Sequence, residues 1–126
     1  MTPKHELSRV VAAAADGDLL LVGSRAREIV LNYVDGLLEA DAFARGLVAS
    51  LRPEHFQETV ALGAPYAGEF DVYICPLTAA LMAKHGLEHV ATWYVKLKLA
   101  ESDDGDSVLV VSMHPPERPA RNRRKR

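Results

Sequence analysis

The ten residues Ala91–Ala100, ATWYVKLKLA, constrain the fold of this chain more than any other stretch. Apolar Trp93, Val95, Leu97 and Leu99 alternate there with Tyr94, Lys96 and Lys98. A period of two places the two sets on opposite faces of a strand, one face buried and the other open. Such a strand needs neighbours for its backbone groups and a layer to cover its apolar face. Glu69–Cys75 (EFDVYIC) and Ser107–Met113 (SVLVVSM) are the natural neighbours.

The covering layer is expected from the first half of the chain. Glu6–Ala15 carries Leu7, Val10, Val11 and Ala14 at helical spacing and should stop at Asp16-Gly17-Asp18. Leu19–Val22 is a short apolar run, a brief strand or a buried connector. Gly23-Ser24 supplies a break, with Ser24 as the expected N-cap of a second helix over Arg25–Val34. A third helical pattern runs from Leu37 to Leu51, and Pro53 begins a short helix restart. Gln57–Leu62 reads as a possible strand, and Gly63–Gly68 as a loop. Between the later strands Leu77–His85 forms a short helix capped by Gly86. Asp103–Asp106 reads as a hairpin turn. Helices first and strands last point to an α+β fold, N-terminal helices packed on a small antiparallel sheet.

With 126 residues and one cysteine, Cys75, the chain has the size of one domain and no internal disulfide. No signal-peptide core and no apolar run of membrane-spanning length is present, so the expected setting is the cytoplasm without membrane contact. Charge is unevenly placed. Arg118, Arg121, Arg123, Arg124, Lys125 and Arg126 hold six of the 15 cations, which leaves nine against 17 acids over residues 1–117, a net −8. Residues 1–117 therefore read as a single domain and 118–126 as a basic arm, expected to be disordered when free. Such an arm contacts nucleic acid or an acidic partner, or simply aids solubility.

No G-x-S-x-G, Walker or G-x-G-x-x-G motif gives acyl-transfer, nucleotide-triphosphate or dinucleotide chemistry an anchor. His85 and His89 have zinc-pair spacing, but Gly86 separates them and no third ligand can be named, so neither a metal nor another cofactor is expected. Cys75 lacks a base partner and reads as a core residue. The open strand face is the remaining place for chemistry. Metal-free RNA cleavage needs a base for the 2′-OH proton, an acid for the leaving 5′ oxygen and fixed cations at the phosphate. Tyr94, Lys96, Lys98 and His114 can fill those roles, and Tyr73 joins them if its face and that of Tyr94 coincide. The plain alternative is a solvated strand face.

The order of landmarks resembles the MqsR family of toxins, RelE-like messenger-RNA interferases of bacterial toxin–antitoxin modules. The matching stretches are Lys4–Val10, the helix ending at Leu51 before Phe56, Asp71-Val72-Tyr73, Tyr94-Val95-Lys96 and the Val-rich strand ending at Met113. The resemblance implies an RNA endonuclease acting through 2′-OH attack, associated with the ribosome and restrained by a cognate antitoxin. Tyr94 and Lys96 would then support phosphate charge and proton transfer, with the Arg118–Arg126 arm on RNA. At three positions where the family carries a lysine, a glutamine and an arginine, this chain has Glu58, Phe70 and Ile74. These departures suit a second reading, a non-catalytic module binding protein and nucleic acid on the same scaffold.

Overall fold

The computed structural model describes residues 2–87 and 90–116. In chain order the elements are α1 (Leu7–Ala15), β1 (Leu19–Leu21), α2 (Ser24–Leu31), α3 (Leu37–Ala49), a 3₁₀ turn (Pro53–His55), β2 (Phe56–Leu62), β3 (Gly68–Pro76), α4 (Ala79–His85), β4 (Thr92–Ser102) and β5 (Gly105–His114). The class is α+β, as the pattern of elements predicts. Among the described residues no helix is long and apolar enough to cross a membrane.

The sheet corrects one expectation. Its strand order is β1-β5-β4-β3-β2, and β1 runs parallel to β5 while every other pair is antiparallel. The reason lies in the turn after α1. Gly17 takes φ +90°, a conformation that side chains with a β-carbon resist. The reversal brings the Asp18 carbonyl to the Val108 amide (2.8 Å), and Leu19–Leu21 then pair with Val108–Val110. The short apolar run is thus an edge strand, and the sheet is mixed.

Helix boundaries shift by a few residues for local reasons. Ser24 is the first residue of α2 rather than its cap, Gly23 holds the cap position, and α2 ends at Leu31 instead of Val34. The first helical residue of α4 is Ala79, because the Thr78 hydroxyl accepts from the Leu81 amide as a true side-chain cap. Gly86 closes that helix in the left-handed region, as its position after His85 predicts.

Helices α1, α2 and α3 pack on one face of the sheet, and α4 packs against α3. Trp93, Val95, Leu97 and Leu99 of β4 are buried there with Val10, Val30, Phe43, Leu47, Val108 and Val110. Trp93 sits edge-on to Phe43 (4.8 Å between ring centres) and to Tyr33 (5.2 Å). Arg9 ties α1 to the β4–β5 turn by two bonds to Asp106 (3.0 and 2.7 Å) and a 2.8 Å ion pair with Glu101. The Arg9 guanidinium in turn holds the Asp106 carboxyl below the usual carboxylate range.

A buried carboxylate fastens the N-terminal segment. Asp71 accepts from the backbone amides of Lys4 (2.9 Å) and His5 (2.8 Å) and from the Thr59 hydroxyl (2.6 Å). Its burial is tolerated because these three donors satisfy the charge. Asp71→Ala removes the acceptor and leaves those donors without it. The expected loss is about 2–4 kcal/mol in urea unfolding, with faster amide exchange at Lys4 and His5.

Candidate functional site

Strand parity decides which side chains reach the open face. Opposite Tyr94 stand Ile74 on β3 and His114 on β5, and opposite Lys96 stand Val72 and Ser112. Residues directly across an antiparallel pair share a face. The open face therefore presents His114, Tyr94 and Ile74 in one row and Ser112, Lys96, Val72 and Glu58 in the next. A bulge between Lys96 and Leu97 leaves Val111 without a register partner on β4 and turns the end of β5.

Tyr94 and His114 stack, with ring centres 4.7 Å apart and planes inclined by 17°. The Lys96 ammonium lies 5.9 Å from the Tyr94 ring centre, within cation–π range. His114 Nδ1 is 2.7 Å from the Pro115 carbonyl oxygen. A carbonyl only accepts, so Nδ1 carries the hydrogen, and in the neutral ring Nε2 keeps its lone pair. That is the tautomer a general base requires. The side chain is half-buried, so Nε2 is held in orientation without being sealed off.

Lys98 shares the face but does different work. Its ammonium is 3.4 Å from the Ala67 carbonyl and 5.6 Å from the Phe70 ring centre. Ala67 belongs to the β2–β3 hairpin tip, which curls over the open face; Tyr66 on the same tip donates its hydroxyl to the Val22 carbonyl, just past β1 on the far edge of the sheet. This tip and the lysine stems explain why Phe70 and Val72, on the face without helices, are each only 1% exposed. The remaining accessible chemistry is the Tyr94–Lys96–Ser112–His114 end.

Tyr73 does not join it. It is opposite Val95 on the helix-covered face, is 0% exposed, and packs edge-on to Phe56 at 5.7 Å. Burial, with the neighbouring Asp71 charge, pushes its phenol well above the usual range. The two faces do not coincide, because β3 pairs Ile74, not Tyr73, with Tyr94. Tyr73 is a core residue whose side chain does not reach the open face. The basic arm with Arg118, Arg121, Arg123, Arg124, Lys125 and Arg126 lies outside the described residues, as does His89.

No three His, Cys, Asp or Glu side chains converge on a metal position among the described residues. His85 instead pairs through Nδ1 with Glu39 (2.7 Å) between α4 and α3. Sequence reasoning passed over Ser112 and Arg25. Ser112 was legible from parity, two residues before His114; Arg25 was not, since nothing local brings α2 to the end of β5. Together with Ile29, Val111 and His114 they line a cavity of about 120 Å³.

Two outcomes follow from these environments. In ¹⁵N spectra the neutral His114 ring should show a protonated Nδ1 and an unprotonated Nε2, and the opposite tautomer would remove the base geometry. Cys75 is buried with Ser50 Oγ at 3.7 Å, and burial pushes its thiol up. The folded thiol thus holds its proton to higher pH than the unfolded one, so this contribution to stability is full below the ordinary cysteine range and fades as pH rises through it. Alkylation of the native protein should be slow at pH 8 and become fast in denaturant.

No family model, characterised protein or solved structure matches the chain in the three comparisons made with known proteins.

Proposed function

We propose that this protein is a metal-independent RNA endonuclease, a toxin-like component of a bacterial toxin–antitoxin module on an MqsR- or RelE-like scaffold. Its setting in this reading is the cytoplasm, with RNA as substrate, on or near the ribosome, and an antitoxin protein as partner. The observation that carries the chemistry is the Tyr94–His114 stack, its Nδ1 pinned to Pro115 and its Lys96 neighbour within cation–π distance. The toxin setting comes from the sequence resemblance.

His114 Nε2 takes the 2′-OH proton as O2′ attacks phosphorus, and the bond from phosphorus to O5′ breaks. The products are a 2′,3′-cyclic phosphate and a 5′-hydroxyl. Lys96 balances charge on the non-bridging oxygens, a role suited to an ammonium on a face where no ion pair engages it among the described residues. The Tyr94 hydroxyl supplies the proton for O5′, and the proton taken up by His114 returns to Tyr94 through water. Lys98, committed to the hairpin tip, holds the roof of the site.

The second reading, a binding module without catalysis, draws on Phe70. Where the family carries an amide, this chain has an apolar ring, 1% exposed beneath Lys98, and Glu58 places a carboxylate on the open face. Neither helps hold a phosphate.

Purified full-length protein is incubated with single-stranded RNA in EDTA, with and without ribosomes. Cleavage with 2′,3′-cyclic phosphate ends is expected, reduced roughly 10²–10⁴-fold in His114→Ala and in Lys96→Ala. Tyr73→Phe should cleave like the parent, its hydroxyl having no partner to lose. RNA left intact under both conditions, yet retained only while residues 118–126 are present, would transfer the case to the binding module.

A further inference from the structure

The cavity beside His114 differs from the acidic cleft beside α1. Over residues 1–117 the chain carries net charge −8, yet among the described residues no Asp or Glu lines this cavity. By contrast, Asp16, Asp18, Asp104 and Asp106 line the cleft between α1 and the β4–β5 turn. Three polar side chains meet at the acid-free cavity: Arg25 from the first turn of α2, and Ser112 and His114 from β5. Arg25 is exposed and makes no ion pair or side-chain hydrogen bond among the described residues, whereas Arg9 and Arg52 both hold carboxylates and Arg27 holds the Leu21 carbonyl. The Ser112 hydroxyl is likewise uncommitted. The stacked Tyr94 ring and the pinned Nδ1 fix the His114 ring, while Ile29 and Val111 supply apolar walls.

Size narrows the ligand. At about 120 Å³ the cavity is well below the ~300–1,000 Å³ of clefts that enclose whole organic ligands. A guanidinium and a hydroxyl can donate to a compact oxyanion, the guanidinium fork matching two oxygens of a phosphate, and the Nε2 lone pair of His114 accepts from a hydroxyl of the ligand. We infer that Arg25, Ser112 and His114 form a phosphate-binding subsite at the α2–β5 junction. If the endonuclease reading holds, the phosphate is the scissile one, and Arg25 faces Lys96 across it; that role rests on the reading above, while anion binding does not.

The test is a ¹H–¹⁵N titration of the full chain with inorganic phosphate and, separately, with uridine 3′-monophosphate. Shifts centred on the Arg25 side chain, Ser112 and His114 are expected with both probes. Tighter binding of the nucleotide assigns the site to an RNA backbone; equal binding assigns it to free phosphate. Arg25→Ala should weaken binding about tenfold or more, Arg25→Lys should restore part of it, and Arg45→Ala, on the far side of α3, should bind like the parent. Arg25→Ala that titrates like the parent, or shifts that cluster elsewhere, would overturn the subsite. The two readings fail separately. Arg25-dependent phosphate binding without any RNA cleavage keeps the subsite and removes the endonuclease, whereas cleavage and binding both untouched by Arg25→Ala remove the subsite alone.

Discussion

The register of β4 between β3 and β5 is the constraint on which the rest of the molecule depends. Trp93, Val95 and Leu97 pair with Cys75, Tyr73 and Asp71 on one side and, for Val95 and Leu97, with Met113 and Val110 on the other. A slip of one residue would carry Trp93 into water and Lys96 under the helices. Nothing in the helical layer could accommodate that. Phe43 and Tyr33 meet Trp93 edge-on, and the α3 face around Leu47 and Val48 is fully buried. The same pairing sets His114 against Tyr94, so the candidate site is a by-product of the core register.

Two further devices finish the sheet. At one edge β1 pairs parallel with β5, placed there by the Gly17 reversal after α1, while Arg9 holds α1 to Asp106 of β5. At the other, the β2–β3 hairpin curls until its tip touches both Lys98 and the chain just beyond β1. The tip roofs half of a face that helices leave uncovered and gives Phe70 and Val72 an interior environment. The accessible half is therefore small and polar, bounded by the roof on one side and α2 on the other.

That confinement separates two pairs of side chains which look alike in a strand. Lys96 and Lys98 are two residues apart on one face, but Lys98 is bound to a carbonyl and lies over the Phe70 ring, while Lys96 among the described residues lies over the Tyr94 ring. Tyr73 and Tyr94 each occupy a strand of the same sheet, yet one is buried in the core and the other stands on the open face. Composition cannot distinguish them, because the difference lies in which residues stand opposite.

The sequence by itself determined the three later strands, the helices and which residues within each strand share a face. Alternation in Ala91–Ala100 reports burial directly, since successive side chains must point to opposite sides, and the helical spacing of the first half reports the layer that covers it. It also placed Tyr94, Lys96 and Lys98 together, because they share a strand and a parity. The tertiary structure alone decided that β1 lies parallel to β5, that Tyr73 falls on the helix side, that the hairpin tip takes Lys98, and that Arg25 and His114 line one cavity. Each of these depends on contacts between residues far apart in the chain: local periodicity gives a side chain's face but not its partner, and the partner decides whether it packs, pairs or stays available for chemistry.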